Sequence, residues 1–348
     1  MDNVFITNQD RNFAPNKNVV NACRQGDVKA LEEALKVGGN PNFISPNHQD
    51  EGSNVLSLAA KTKSECTKVL LEHGALPSVK MLSNKNTALH EAANVGNDEA
   101  CALLLEQDLL SKGEINQEET VPIRESKNIY GNTPLFAGCR SGSVQTVKTL
   151  LDHNANVNAK NHLGSSVLHL CAFLTKKTET SSKLVANPAE ERRSSKLNNV
   201  EPHLQIAAMI LAYGNFDNID TVDENGYSPL HIASQRGSKQ MCKLLVDWGA
   251  SITLKTPFDC KGRGNRNSIQ TAEHAGMNET AELLKELQSI KEKNPSLVVT
   301  KNLAKNLSTG VSNEQGSTQE RRLSYTKCKN EQSLDDGKND QNKTSPEI

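Results

Sequence analysis

Apolar residues along the chain fall into short runs at helical spacing, parted by small and polar residues. Met241, Leu244, Leu245 and Trp248 stand at i, i+3, i+4 and i+7, which is one face of a helix. Val147, Leu150 and Leu151 repeat that face, as do Ala100, Leu103 and Leu104, and a glycine precedes each run (Gly237, Gly142, Gly96). Ahead of each glycine lies a shorter apolar stretch opened by a leucine (Leu230, Leu135, Leu89). The pattern predicts helices in pairs, the first ended by the glycine and the second stopped at Gly74-Ala75 or Gly249-Ala250. Asn128-Ile129-Tyr130-Gly131 and Asp223-Glu224-Asn225-Gly226 supply tight hairpins between pairs.

Laid over itself, the chain repeats one motif. It reads Ser228-Pro229-Leu230-His231 before Ala233, Thr87-Ala88-Leu89-His90 before Ala92 and Ala93, Thr133-Pro134-Leu135-Phe136, and Ser166-Val167-Leu168-His169. A weaker copy is Asn54-Val55-Leu56-Ser57. Leu56 to Leu89 and Leu135 to Leu168 are both separated by 33 positions, which sets the period. Degenerate copies through Val19, Ala22 and Gly26 and through Ile269, Ala272 and Gly276 bring the count to about seven units. Atypical outermost units suit a stack, because each terminal unit presents one face to water. Serine or threonine can cap the first helix, and proline suits its first turn.

The 33-residue period and the Thr-Pro-Leu-His motif resemble the ankyrin-repeat family, over roughly residues 17 to 290. Two units depart from the pattern: Lys63 replaces the mid-repeat glycine, and no glycine precedes Thr87. The resemblance implies an all-α solenoid of about seven helix-turn-helix units with short hairpin fingers and a concave face lined by fingers and inner helices. It also implies that His90, His169, His231, Thr87, Thr133, Ser166 and Ser228 hydrogen-bond within and between units. Equivalent histidines one repeat apart are too distant to share a zinc ion.

The spacings of 46 from Leu89 to Leu135 and 62 from Leu168 to Leu230 carry excesses of 13 and 29 residues. The first, at about 107–127, is placed in a finger; the second, at about 175–203, between the two helices of the fifth unit. The second is polar and serine-rich, which predicts a mobile segment. Residues 1–16 are expected to be disordered, and so is the polar tail 291–348, with ten Lys/Arg and eight Asp/Glu. Arg192-Arg193-Ser194-Ser195 and Arg321-Arg322-Leu323-Ser324 resemble sites for a basophilic kinase, making Ser195 and Ser324 candidate modification sites.

Composition then narrows the function. Apolar residues are only 35 % and aromatics 3 %, which the polar segments and a thin two-helix core account for. The net charge of -1 argues against a general nucleic-acid binder. No apolar run approaches the roughly 18 residues of a membrane span, and the N-terminus lacks the pattern of a secretion signal, so a cytoplasmic or nuclear protein is expected. Eight cysteines without C-x-x-C spacing read as buried thiols. Lys261-Gly262-Arg263-Gly264 lacks the rest of a phosphate loop, and no H-E-x-x-H, G-x-S-x-G or kinase motif occurs.

The expectation is therefore a monomeric, non-enzymatic scaffold or adaptor without a cofactor, holding another protein on the concave face. Tyr130, Arg140, Tyr227 and Arg236 lead the candidates, because tyrosine and arginine are enriched at binding hot spots. Ile129, His162, Leu163 and Gln235 accompany them, with Asn94, Val95, Asn132, Ser141, Ser165 and Glu224 at matching positions. An alternative is a regulatory or substrate protein: the run from Leu150 to Asn158 resembles an asparaginyl-hydroxylase target, except that Asn156 replaces the acid. A further alternative is a targeting subunit of a larger enzyme complex.

Overall fold

The computed structural model describes residues 14–45, 52–113, 121–175, 201–213, 218–257 and 264–293, all within the compact unit Met1–Ala304. Ser195 and Ser324 lie outside the described residues, as do most of the tail and the N-terminal segment. Fourteen helices occur among the described residues, in seven consecutive pairs. The inner helices are α1 (Ala14–Gln25), α3 (Val55–Thr62), α5 (Ala88–Val95), α7 (Pro134–Ser141), α9 (Val167–Leu174), α11 (Pro229–Arg236) and α13 (Ser268–His274). Each is followed by its outer partner: α2 (Val28–Lys36), α4 (Ser64–Glu72), α6 (Asp98–Gly113), α8 (Val144–Asp152), α10 (Pro202–Ala212), α12 (Lys239–Asp247) and α14 (Asn278–Lys293). Inner helices pack on the inner helices of adjacent units, outer on outer, and each on its own partner. This is an all-α solenoid of seven stacked helix pairs among the described residues.

Local chemistry sets each boundary. Gly96, Gly142 and Gly237 end α5, α7 and α11 in the left-handed conformation. The second unit has no glycine there because Lys63 is extended (φ -148°) and serves as both the end of α3 and the start of α4. Outer helices end on a left-handed Gly74, Asn154 or Gly249, and the following alanine N–H bonds back to Leu70, Leu150 or Leu245. The leucines that fixed the register are all buried, including Leu56, Leu89, Leu135, Leu168 and Leu230. Cys23, Cys66, Cys101, Cys139, Cys171 and Cys242 are buried free thiols, and burial pushes Cys23, Cys101 and Cys242 up to about 12.

The excess at 107–127 is taken up partly by α6, which runs on to Gly113, and partly by a 3-10 turn at Ile123–Glu125 whose isoleucine is buried. The excess at 175–203 falls between α9 and α10, and its residues 176–200 lie outside the described ones.

Candidate partner-binding face

Finger n is the hairpin leading into unit n. In finger 4 the Asn128 side chain accepts the N–H groups of Tyr130 and Asn132 (2.9 and 3.0 Å); Asn161 and Asp223 do the same in fingers 5 and 6. Each finger turns through a left-handed residue two positions before the helix cap: Gly52, Lys85, Gly131, Gly164, Gly226 and Asn265. Lysine and asparagine thus adopt in fingers 3 and 7 what glycine adopts elsewhere.

Adjacent fingers are joined by main-chain hydrogen bonds. The N–H of Leu82 donates to Gly52 O (3.1 Å), and those of Ile129, His162 and Glu224 donate to Asn84, Tyr130 and Leu163 O (each 3.0 Å). The tips therefore form a continuous row of fixed backbone.

Histidines tie that row to the helices. The Thr87, Ser166 and Ser228 N–H groups donate to Nδ1 of His90, His169 and His231, leaving Nε2–H to donate to a carbonyl of the next unit. Those acceptors are Asn132 O (3.0 Å), Tyr227 O (3.0 Å) and Arg266 O (3.1 Å). Burial lowers all three imidazoles below the usual histidine range, His90 to about 4, although the carbonyl contacts raise them.

Two expected roles need correction. Thr133 has the extended backbone of a cap, but its buried hydroxyl finds no partner among the described residues, because Phe136 occupies the histidine position. Asn132 is buried, its carbonyl serving His90, so its side chain is not an exposed binding group.

The other candidates separate by position. Tyr130 (60 % exposed), Leu163 (61 %), Ile129 and His162 stand at finger tips. Arg140 is exposed at the end of α7. Arg236, at the end of α11, lays its guanidinium 4.9 Å from the ring centroid of Phe173 on α9. Tyr227 is half-buried, edge-on to His231 with centroids 6.1 Å apart. Tyr227, Gln235, Glu224, Arg266 and His274 line one cleft of about 580 Å³ between units 6 and 7. That cleft places fingers and inner-helix ends on one surface. Asn158 lies in finger 5, half-buried, with its N–H donating to Asn156 Oδ1 (2.8 Å).

Sequence reasoning missed Phe173, which is 53 % exposed. It stands 33 positions after Arg140, so the repeat register would have placed it on the inner-helix row. Also missed was Glu91, buried with Asn86 Nδ2 at 2.6 Å and Lys61 Nζ at 2.9 Å. No group of three His, Cys, Asp or Glu residues among the described ones is arranged to hold a metal ion. No helix among them is long and apolar enough to cross a membrane.

A profile for ankyrin repeats in three copies matches residues 19–118, a single ankyrin-repeat profile matches 130–162, and one for many copies matches 198–246. The chain is 29 % identical over 213 residues to a protein named probable E3 ubiquitin-protein ligase XBOS32 of Oryza sativa subsp. japonica, covering 60 % of this chain and 40 % of that protein. It is 30 % identical over 221 residues to a transient receptor potential cation channel subfamily A member 1 homolog of Caenorhabditis elegans, covering 61 % and 17 %. With the B-cell lymphoma 3 protein homolog of Mus musculus it shares 36 % over 123 residues, covering 34 % and 25 %. The chain thus spans less than half the length of these relatives. Among solved structures, the ankyrin repeat domain of Bcl-3 superposes with a TM-score of 0.54 at 21 % identity, covering 77 % of this chain and 97 % of that one, a likeness of fold.

Proposed function

The chain belongs to the ankyrin-repeat family, and on that premise we propose that it is a non-enzymatic scaffold or adaptor whose protein partner docks on the face shared by fingers and inner helices. The observation that carries this reading is the exposure of Tyr130, Leu163 and Phe173 on backbone fixed by hydrogen bonds and helix packing. Tyr130 and Leu163 stand on adjacent finger tips joined by the His162 N–H to Tyr130 O bond, and exposed apolar groups gathered on one surface mark interaction sites. Arg140 and Arg236 add the cationic, planar donors that favour interface hot spots. Phosphorylation of Ser195, in the sequence between α9 and α10, or of Ser324, in the tail, would add about two negative charges and regulate the scaffold electrostatically.

The test is proximity labelling in cells of the wild-type chain against one carrying Tyr130→Ala, Arg140→Ala, Leu163→Ala and Arg236→Ala. The proposal expects a discrete set of labelled proteins to vanish from the variant at equal abundance. An unchanged set would sink it.

A further inference from the structure

We infer that this face takes an extended acidic peptide with an apolar side chain, the apolar group resting against Phe173 and the carboxylates meeting Arg140 and Arg236. The inference rests on the docking face proposed above and names the chemistry of its occupant.

Arg140, Phe173 and Gln235 occupy equivalent positions on three successive inner helices, and Arg236 follows at the next position. The cation–π contact with Phe173 restrains the Arg236 guanidinium beside the ring, which lowers the entropy cost of its donors meeting a carboxylate there. It also leaves half of the Phe173 surface open beside that guanidinium. Arg140 makes no hydrogen bond or ion pair among the described residues.

The charge of the surrounding fingers has the same sense. Lys80, Lys85, Lys127 and Lys160 are exposed on fingers 3 to 5. Among the described residues of these fingers the acid is Glu125, which accepts the N–H of Asn156 (2.8 Å); Glu114, Glu118 and Glu119 precede it in the sequence and lie outside the described residues. Lys61, by contrast, is already paired with buried Glu91. Acids return in finger 6, but Asp220 and Asp223 accept main-chain N–H groups of Ser251, Asn225 and Tyr227, and Glu224 lines the cleft with Arg266. Among the described finger residues, cations outnumber acids in fingers 3 to 5, with Lys80 and Lys127 donating to the Lys127 and Lys160 carbonyls and so held along the row of tips, and there an anionic segment gains most.

Geometry sets a spacing. Packed helices lie about 8–10 Å apart, and Arg236 reaches from α11 onto α9, so the two cations span one to two helix spacings. At about 3.3 Å per extended residue, the two acids stand roughly three to six positions apart with the apolar residue between them. Nucleic acid would meet the cations but would leave the aliphatic Leu163 without a function.

The experiment is selection of phage-displayed random peptides on the full chain, followed by fluorescence anisotropy of the selected peptides at low and raised salt. Arg140→Glu with Arg236→Glu is compared with Lys68→Glu and Lys243→Glu, an equal charge change on the outer helices. Arg140→Gln with Arg236→Gln serves as the milder pair, and circular dichroism confirms folding. The expected result is a consensus of two acids flanking an aromatic or aliphatic residue, weakened about tenfold or more by the inner-helix reversal and by salt, and unmoved by the outer one. A neutral or basic consensus that is still lost on the inner-helix variants overturns this inference and leaves the docking face standing. Peptides indifferent to both pairs, or preference for a single-stranded RNA probe, overturn both.

Discussion

The imidazole of His169 in the fifth unit donates through Nε2 to the main-chain carbonyl of Tyr227, 58 positions later and 3.0 Å away. The bond crosses the whole excess segment between α9 and α10, yet its geometry matches that of His90 to Asn132 and His231 to Arg266. Inter-unit register is thus held by side chains reaching forward.

That bond requires a neutral acceptor nitrogen at Nδ1, which makes stability depend on pH. The three histidines have pKa values lowered by burial in the folded state, so the unfolded chain binds more protons below about 6.5. Stability is fully present above that value and falls as pH drops, for His90 until about 4. The His90 contribution is of the order of 2–4 kcal/mol. Urea midpoints should decline between pH 7.5 and 5, and His90→Gln should flatten the slope. Burial of Glu125 and Asp247 raises those carboxyls and acts in the opposite sense nearer pH 4, so the slope is read above 5.

Leu230 is buried in α11, whereas Leu163 is exposed at a finger tip. Leu230→Ala should cost about 2–5 kcal/mol. Leu163→Ala should stay within about 0.5 kcal/mol. Chemical denaturation of the two variants checks the assigned register.

A Cβ added at Gly226 would sit 2.0 Å from Pro257 Cδ, at a φ of +77°. Gly226→Ala should therefore lose about 2–5 kcal/mol through backbone strain and displacement of Pro257. Lys85 holds the matching position in finger 3 at φ 57°. Lys85→Gly should gain up to about 1 kcal/mol, since relief of strain exceeds the added chain entropy. Melting temperatures moving in opposite directions would verify both.

Thr87 and Thr133 occupy the same motif position with different surroundings. Thr87 Oγ1 lies 2.9 Å from His90 Nδ1, so Thr87→Val should cost about 1–2 kcal/mol. Thr133→Val removes a buried hydroxyl that has no partner and should be neutral or stabilising by about 1 kcal/mol. Equal losses in the two variants would contradict the hydrogen-bond assignment.

The seven pairs were legible because Leu56, Leu89, Leu135 and Leu168 recur at a period that only stacked units explain. The finger turns were legible where glycine stood and hidden where Lys85 and Asn265 took its backbone angles, since lysine rarely turns left-handed and asparagine, which does so more often, signals the turn less sharply than glycine. Periodicity tells which side of a helix is apolar, not which neighbour covers it. Asn132 looked exposed until the carbonyl contact from His90, 42 positions earlier, placed it inside. Phe173 drew no expectation from the sequence, because nothing local in Cys171-Ala172-Phe173-Leu174 announces that its cover is an arginine from the next unit.

Because each described pair packs chiefly on the pairs before and after it, cooperativity in this molecule is a local property passed from hand to hand. Loss of a terminal pair removes one set of neighbour contacts and shortens the array; loss of the fourth severs it into two short arrays with newly exposed flanks. A partner spread over units 4 to 6 would act as a splint across the middle, slowing the unzipping of joints it never touches.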